Sequence, residues 1–158
     1  CISSSRWICD REPERVIGLF DKDPSFGTDR LASGILDFGN GLQASFTCST
    51  QVAPYQRINI LGTHGRVEID IPFNAPPDRP CRVSLYPGTH SDQGRFEPAE
   101  SQVLDMDICD QYTLQGEAIS LAILNDEPVP YGLDDAVGNM RTLEALRQSN
   151  ESSAWIVP

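Results

Sequence analysis

Apolar and polar residues alternate through much of the first half of the chain, and that alternation predicts paired strands. Ala32, Gly34, Leu36 and Phe38 fall on one face, and Leu42, Ala44, Phe46 and Cys48 continue it beyond a turn at Gly39-Asn40-Gly41. These turn residues tolerate positive φ, as a tight hairpin requires. Gln43, Ser45, Thr47 and Ser49 take the opposite face. Ile58 and Ile60 repeat the alternation, Gly62-Thr63-His64-Gly65 turns the chain, and Val67, Ile69 and Ile71 answer. A strict period of two means one covered face and one more polar face. That polar face carries Ser, Thr and Gln instead of Lys and Glu, which suits packing against another protein layer.

Other segments fill in around this meander. Ile2–Cys9 reads as the end of a helix, with Ile2, Arg6 and Trp7 sharing a side, and Pro13 stops it. Arg15–Phe20 reads as a strand, Asp21–Asp29 as a polar loop, and Arg82–Tyr86 as a further strand. Pro87–Glu100 reads as a loop, and Ser101–Met106 closes the sheet. Two helices follow. The first places Ile108, Tyr112, Gln115, Ile119 and Ile123 at three- and four-residue steps, with Asp105 or Asp107 as its cap. The second runs from about Leu133 to Ser149, with Leu133, Ala136, Val137, Met140, Leu143 and Leu146 as its apolar face; a short strand or tail ends the chain. The fold class is therefore α+β: an open, mainly antiparallel sheet with helices packed on one face, in a single domain spanning residues 1–158.

Composition narrows the partners. With 39% apolar residues in 158, a core is available. A net charge of −11, with Lys22 the only lysine, repels phosphate backbones and anionic membranes, so neither nucleic acid nor a membrane is expected as a partner. No run of 18 apolar residues and no leader stand out. The five cysteines (1, 9, 48, 81 and 109) are widely spaced without C-x-x-C, which predicts reduced, structural thiols in a cytoplasmic setting and no metal site.

Candidate chemistry is sparse. His64 occupies a tight turn and His90 a polar loop, neither with ligand spacing. The carboxylates cluster at helix starts, where they complement the helix dipole. No G-x-G-x-x-G joins a strand to a helix, since the "GNG" turn leads into another strand. On these grounds the chain alone is expected to be catalytically inactive, with no cofactor of its own.

The segments "GILDFGNGLQASFTCS", "QRINILGTHGRVEID" and "GEAISLAILNDEPVPYGLDDAVGNMRTLEALRQS", in that order, resemble the C-terminal domain of the Gfo/Idh/MocA oxidoreductases, whose members include glucose–fructose oxidoreductase and inositol dehydrogenase. The strand–G-T-x-G–strand hairpin and the proline turn before the last helix carry the resemblance, which spans Ile2 to Val157. It implies a dihydrodipicolinate-reductase-like C-terminal fold. It also implies a parent enzyme whose Rossmann domain, absent from this chain, binds NAD or NADP and bears a catalytic lysine in an E-K-P motif. Lys22, in "DKDP", does not match that motif, and Cys1 would follow directly on the family's D-x-G-x-[HY] segment. Members of the family use the region entering the strand before G-T-x-G in their substrate pockets, so Tyr55 and Arg57, then Gln56, are the substrate-binding candidates. The implied function is the substrate-side and oligomerisation domain of an NAD(P)-dependent sugar- or polyol-type dehydrogenase. A homo-oligomer is expected through the sheet face around Leu31–Thr50 and Arg57–Ile71. Two alternatives stay open: a non-catalytic interaction module, and a parent that uses NAD transiently for glycoside cleavage.

Overall fold

The computed structural model describes all residues, Cys1 to Pro158. It divides into two compact units: residues 1–53 with 130–158, and residues 54–129. The α+β class and the antiparallel pairing are as expected. The strands, however, form two separate sheets where the alternation suggested one, because the segment from Thr50 to Arg57 carries no ladder between them.

In the first unit, α1 (Ile2–Cys9) precedes a three-stranded sheet of β1 (Arg15–Lys22), β2 (Asp29–Asp37) and β3 (Gln43–Ser49), in that order. Gly39, Asn40 and Gly41 all have positive φ, as the β2–β3 turn demands. Helix α3 (Leu133–Ser152) packs along β1 and also meets α1. The core is Ile2, Val16, Leu36, Phe38, Ala145 and Leu146, flanked by Phe20, Ala44, Phe46 and Ile156. Cys48, expected among the apolar residues of its strand, is exposed at the end of β3. α1 differs from expectation in one respect: Ile2 and Arg6 are buried, while Trp7 turns outward and is 66% exposed.

Of the apolar face expected for α3, only Leu146 is buried. Thr142, Ala145, Leu146 and Ser149 point inward, whereas Leu133, Val137, Met140 and Leu143 are exposed. The reason lies at the edge of the sheet. β1 is an edge strand, and its outward N–H groups need acceptors. Ile156 O accepts from Val16 N–H (2.8 Å), Ser149 Oγ from Gly18 N–H (3.1 Å), and Asn150 Oδ1 from Phe20 N–H (2.8 Å). The end of α3 and the tail after it thus cover the edge with polar atoms, and Ser149 occupies the inner face of the helix for that purpose.

The second unit holds β4 (Ile58–Gly62), β5 (Gly65–Ile69), β6 (Cys81–His90), β7 (Phe96–Pro98) and β8 (Gln102–Met106). β5 pairs with both β4 and β6, β8 runs along the first half of β6, and β7 along its last three residues. The short β7 lies inside the segment read as loop, and β5 ends before Ile71. The unit also contains α2 (Gln111–Asn125), which starts later than its spacing suggests, so Ile108 and Cys109 lie outside it. Its cap is Asp110, not Asp105 or Asp107: the Asp110 carboxylate accepts from Tyr112 N–H (3.1 Å) and from the Thr113 hydroxyl (2.8 Å). Asp105 instead pairs with Arg82 across the β6–β8 ladder. No helix is long and apolar enough to cross a membrane.

Candidate functional site

The three residues singled out by the sequence lie consecutively at the entrance to β4, and the fold gives each a different task. Tyr55 is 79% exposed, so its phenol is free to meet a ligand. Gln56 turns inward, and its Oε1 accepts from the backbone N–H groups of Phe73 and Asn74, both at 3.2 Å. It therefore ties the irregular segment after β5 to the strand entrance. Arg57 is two-thirds covered and bridges two acids of β5 and its end: Nη1 lies 3.2 Å from Glu68 Oε2 and Nη2 3.0 Å from Asp70 Oδ1. A guanidinium so held is rigid and already compensated, which suits orienting neutral hydroxyl groups better than capturing a free anion.

Arg57 belongs to a charged face of the second sheet. Arg66 reaches Glu68 (3.3 Å) and lies over the ring of Tyr86, 4.2 Å from its centroid, while Arg82 pairs with Asp105. The histidines do little near it. His64 Nδ1 lies 3.2 Å from Thr63 Oγ1 within the turn, and His90 sets its ring edgewise against Phe96. No three His, Cys, Asp or Glu side chains converge in a way that could hold a metal ion, and all five cysteines are free thiols.

The outward face of the first sheet is the other candidate surface. The Ser33 and Thr47 hydroxyls meet at 2.9 Å across β2 and β3, and Ser45 stands in line with Ile35 and Ile17 in the strand register. Leu19 is 73% exposed and Ile35 41%. The face is therefore mixed apolar and hydroxyl, with a shallow depression of about 620 Å³ at its centre. Ile17 and Leu19 escaped the sequence reading of this surface, yet the signal was present: "RVIGLF" is apolar at both parities, the mark of a strand meant to be covered on both faces.

The chain has no glycine turn that joins a strand to a helix. Its tight glycine turns, residues 39–41 and 62–65, each join two antiparallel strands and do not lead into a helix. Of the helix N-termini, that of α2 is occupied by the Asp110 carboxylate, and that of α3 carries Asp134 and Asp135, which repel a pyrophosphate.

Residues 1–68 match the family described as GFO/IDH/MocA C-terminal domain, and the matches to whole proteins run through the rest of the chain. Residues 1–68 thus carry the GFO/IDH/MocA C-terminal-domain signature. It is 37% identical over 154 residues to an uncharacterized oxidoreductase of Rhizobium meliloti, covering 98% of this chain and 45% of that protein. It is 26% identical over 149 residues to a D-xylose 1-dehydrogenase (NADP(+)) of Haloferax volcanii, covering 91% of this chain and 41% of the relative. The chain thus spans under half the length of the curated relatives it matches. Among solved structures, a 3-ketoreductase from Actinomadura kijaniata in complex with TDP-benzene and NADP superposes with a TM-score of 0.79 at 16% identity, over 94% of this chain and 44% of that one. An aldose-aldose oxidoreductase from Caulobacter crescentus complexed with glycerol gives 0.73 at 20% identity, over 99% and 44%. At these identities the structures establish the fold of the domain.

Proposed function

We propose that this domain is the substrate-side and association domain of an NAD(P)-dependent oxidoreductase that transfers hydride between a sugar or polyol carbinol carbon and the nicotinamide. The observation that carries the reading is the alignment of nearly the whole chain with oxidoreductases, one of them named for NADP(+) and D-xylose. The cofactor would be held by the share of the relatives' length that this chain does not cover, so the chain by itself should neither bind NAD(P) nor turn over substrate. Within the chain, Tyr55 and Arg57 are the substrate contacts: the exposed phenol offers a hydroxyl and a ring face, and the clamped guanidinium offers fixed donors. Gln56 supports them by holding residues 73 and 74 in place. The site adds shape and hydrogen bonds while the reacting groups lie elsewhere, in keeping with the pairing of Arg57 with Glu68 and Asp70.

The outward face of the first sheet supports the association role. Ile17, Leu19 and Ile35 beside Ser33, Ser45 and Thr47 give a flat, nearly uncharged patch that a two-fold axis can pair with itself. A stable contact there would bury at least about 1,000 Å² in total.

The test is steady-state kinetics of the whole protein with NAD⁺ or NADP⁺ and a panel of aldoses and polyols. Tyr55→Phe and Arg57→Lys should raise KM for the substrate about tenfold, about 1.4 kcal/mol of lost binding, and leave cofactor affinity unchanged. Lysine keeps a cation beside Glu68 and Asp70, so the variant tests donor geometry without stranding two carboxylates. Absence of nicotinamide reduction with the whole panel, in a protein that binds the cofactor, would overturn the dehydrogenase reading. Sedimentation of Leu19→Glu against the unaltered chain tests association, and an unaltered chain that is monomeric at micromolar concentration would remove that role.

A further inference from the structure

A second cleft lies in the first unit, between the end of α1 and the segment entering α3, and nothing in the reading above uses it. Its volume is about 560 Å³. Two aromatic rings open onto it: Trp7, 66% exposed, and Tyr131, 65% exposed. Its remaining lining is polar, including the acids Asp10, Glu12 and Asp135, and it contains no aliphatic side chain.

That composition decides among ligand classes. A docking groove for a protein helix or strand is lined with Leu, Ile or Val, and none is present. A phosphate or carboxylate ligand would face three acids against two arginines, one of which is already spent. Arg6, 6% exposed, gives its Nε and Nη2 to the two carboxylate oxygens of Glu12 (2.7 and 2.5 Å) and its Nη1 to Asp135 (3.0 Å to Oδ1). The lining fits a neutral ligand with many hydroxyl donors and flat apolar C–H faces. Carboxylates accept from hydroxyls strongly, and an electron-rich ring face attracts the polarised C–H groups of a pyranose.

The cleft is also built in advance. The Arg6 clamp fixes Glu12 and Asp135 from a buried position, and each keeps unused lone pairs towards solvent. Trp7 follows Arg6 on a helix whose inner side is anchored by Ile2 in the core, so the helix presents the indole outward. Carboxylates held in place reduce the ordering cost of binding.

We infer that the Trp7–Tyr131 cleft is a saccharide-binding subsite, in which the indole and phenol rings stack on a pyranose and Glu12 and Asp135 accept its hydroxyls. The inference rests on the sugar reading above only for the choice of probes. The experiment is a fluorescence titration of the chain carrying Trp155→Phe, which leaves Trp7 as the sole indole, with D-xylose, D-glucose, xylobiose and maltose. Saturable change in Trp7 emission with at least one of them is expected. Tyr131→Ala should weaken that binding about tenfold, and by calorimetry so should Trp7→Ala. Both rings are exposed, so neither truncation opens the core, and circular dichroism verifies the fold. No saturable change with any of the four sugars, or binding unaltered in both variants, would overturn the subsite. The two readings fail separately. Nicotinamide-dependent turnover of the whole protein without a Trp7 response removes the subsite alone. A Trp7 response in a protein without turnover removes the dehydrogenase alone.

Discussion

Removing one hydroxyl should loosen the first unit more than its size suggests. Ser149 is fully buried, and its Oγ does two things at once: it donates to Ala154 O at 2.6 Å and accepts from Gly18 N–H at 3.1 Å. Ser149→Ala strands both groups, one on the edge of β1 and one in the turn that ends α3. A buried polar group left without a partner costs about 1–3 kcal/mol. Two such groups, partly relieved by water at the strand edge, give a loss of about 2–4 kcal/mol. For a chain of this length that corresponds to a fall in Tm of roughly 4–16 °C, at 2–4 °C per kcal/mol. Thr142→Val is the control. Thr142 is equally buried, but its hydroxyl only donates to Gly138 O, four residues back (3.1 Å), a carbonyl that keeps its helical partner. That change should cost less than about 1 kcal/mol. The assay is urea unfolding followed by tryptophan emission, since Trp7 and Trp155 both lie in the first unit. Equal losses in the two variants, or a Ser149→Ala protein within about 0.5 kcal/mol of the parent, would refute the edge-capping account.

The other predictions concern charge and backbone. The Arg6 side chain, by hydrogen bonding first and by its charge second, holds the Glu12 carboxyl below the usual carboxylate range. A depressed folded value means that this stabilisation is present above the ordinary Glu range and is lost as pH falls through the lowered one. Glu12→Gln should therefore flatten the acid limb of stability against pH, and an unchanged limb in urea titrations would contradict the clamp. Glu144, brought down to about 2 by Arg147 and then Gln148, titrates on the surface. Its share of the acid limb should vanish at high salt, whereas that of Glu12 persists beside the buried Arg6. In the second unit, Gly65 has φ +136°, and a Cβ there would lie 2.3 Å from Tyr86 O. Gly65→Ala should cost about 3 kcal/mol or more and speed hydrogen exchange across β4–β6, while Gly94→Ala, at φ +74° with open space around it, should cost only about 1 kcal/mol.

How far the sequence could be read follows from what each element is covered by. The β2–β3 hairpin was legible because its inner face, Gly34, Leu36 and Phe38, meets an apolar core, so period-two alternation and burial coincide. The Tyr55–Arg57 segment could be placed at the entrance to β4, but not resolved into its parts: the partners of Gln56 and Arg57 lie eleven or more residues away on β5 and beyond. α3 is the instructive failure. Its expected apolar face is Leu133, Ala136, Val137, Met140, Leu143 and Leu146, yet only Leu146 of these is buried, beside Thr142, Ala145 and Ser149. A helix lying along an edge strand must come close and must supply acceptors. Closeness selects alanine and serine: a Cβ on Gly18 would meet the Leu146 carbonyl oxygen at 2.9 Å, so the two backbones almost touch. The acceptor demand selects Ser149 and Asn150, which a hydrophobicity pattern scores as solvent-facing. Hydrophobic periodicity finds the face that would bury most apolar area. It does not find the face that satisfies a neighbouring strand's N–H groups, and in α3 the second requirement decided the orientation. The apolar stripe then remains as surplus surface, which an isolated helix of this kind would have no reason to keep.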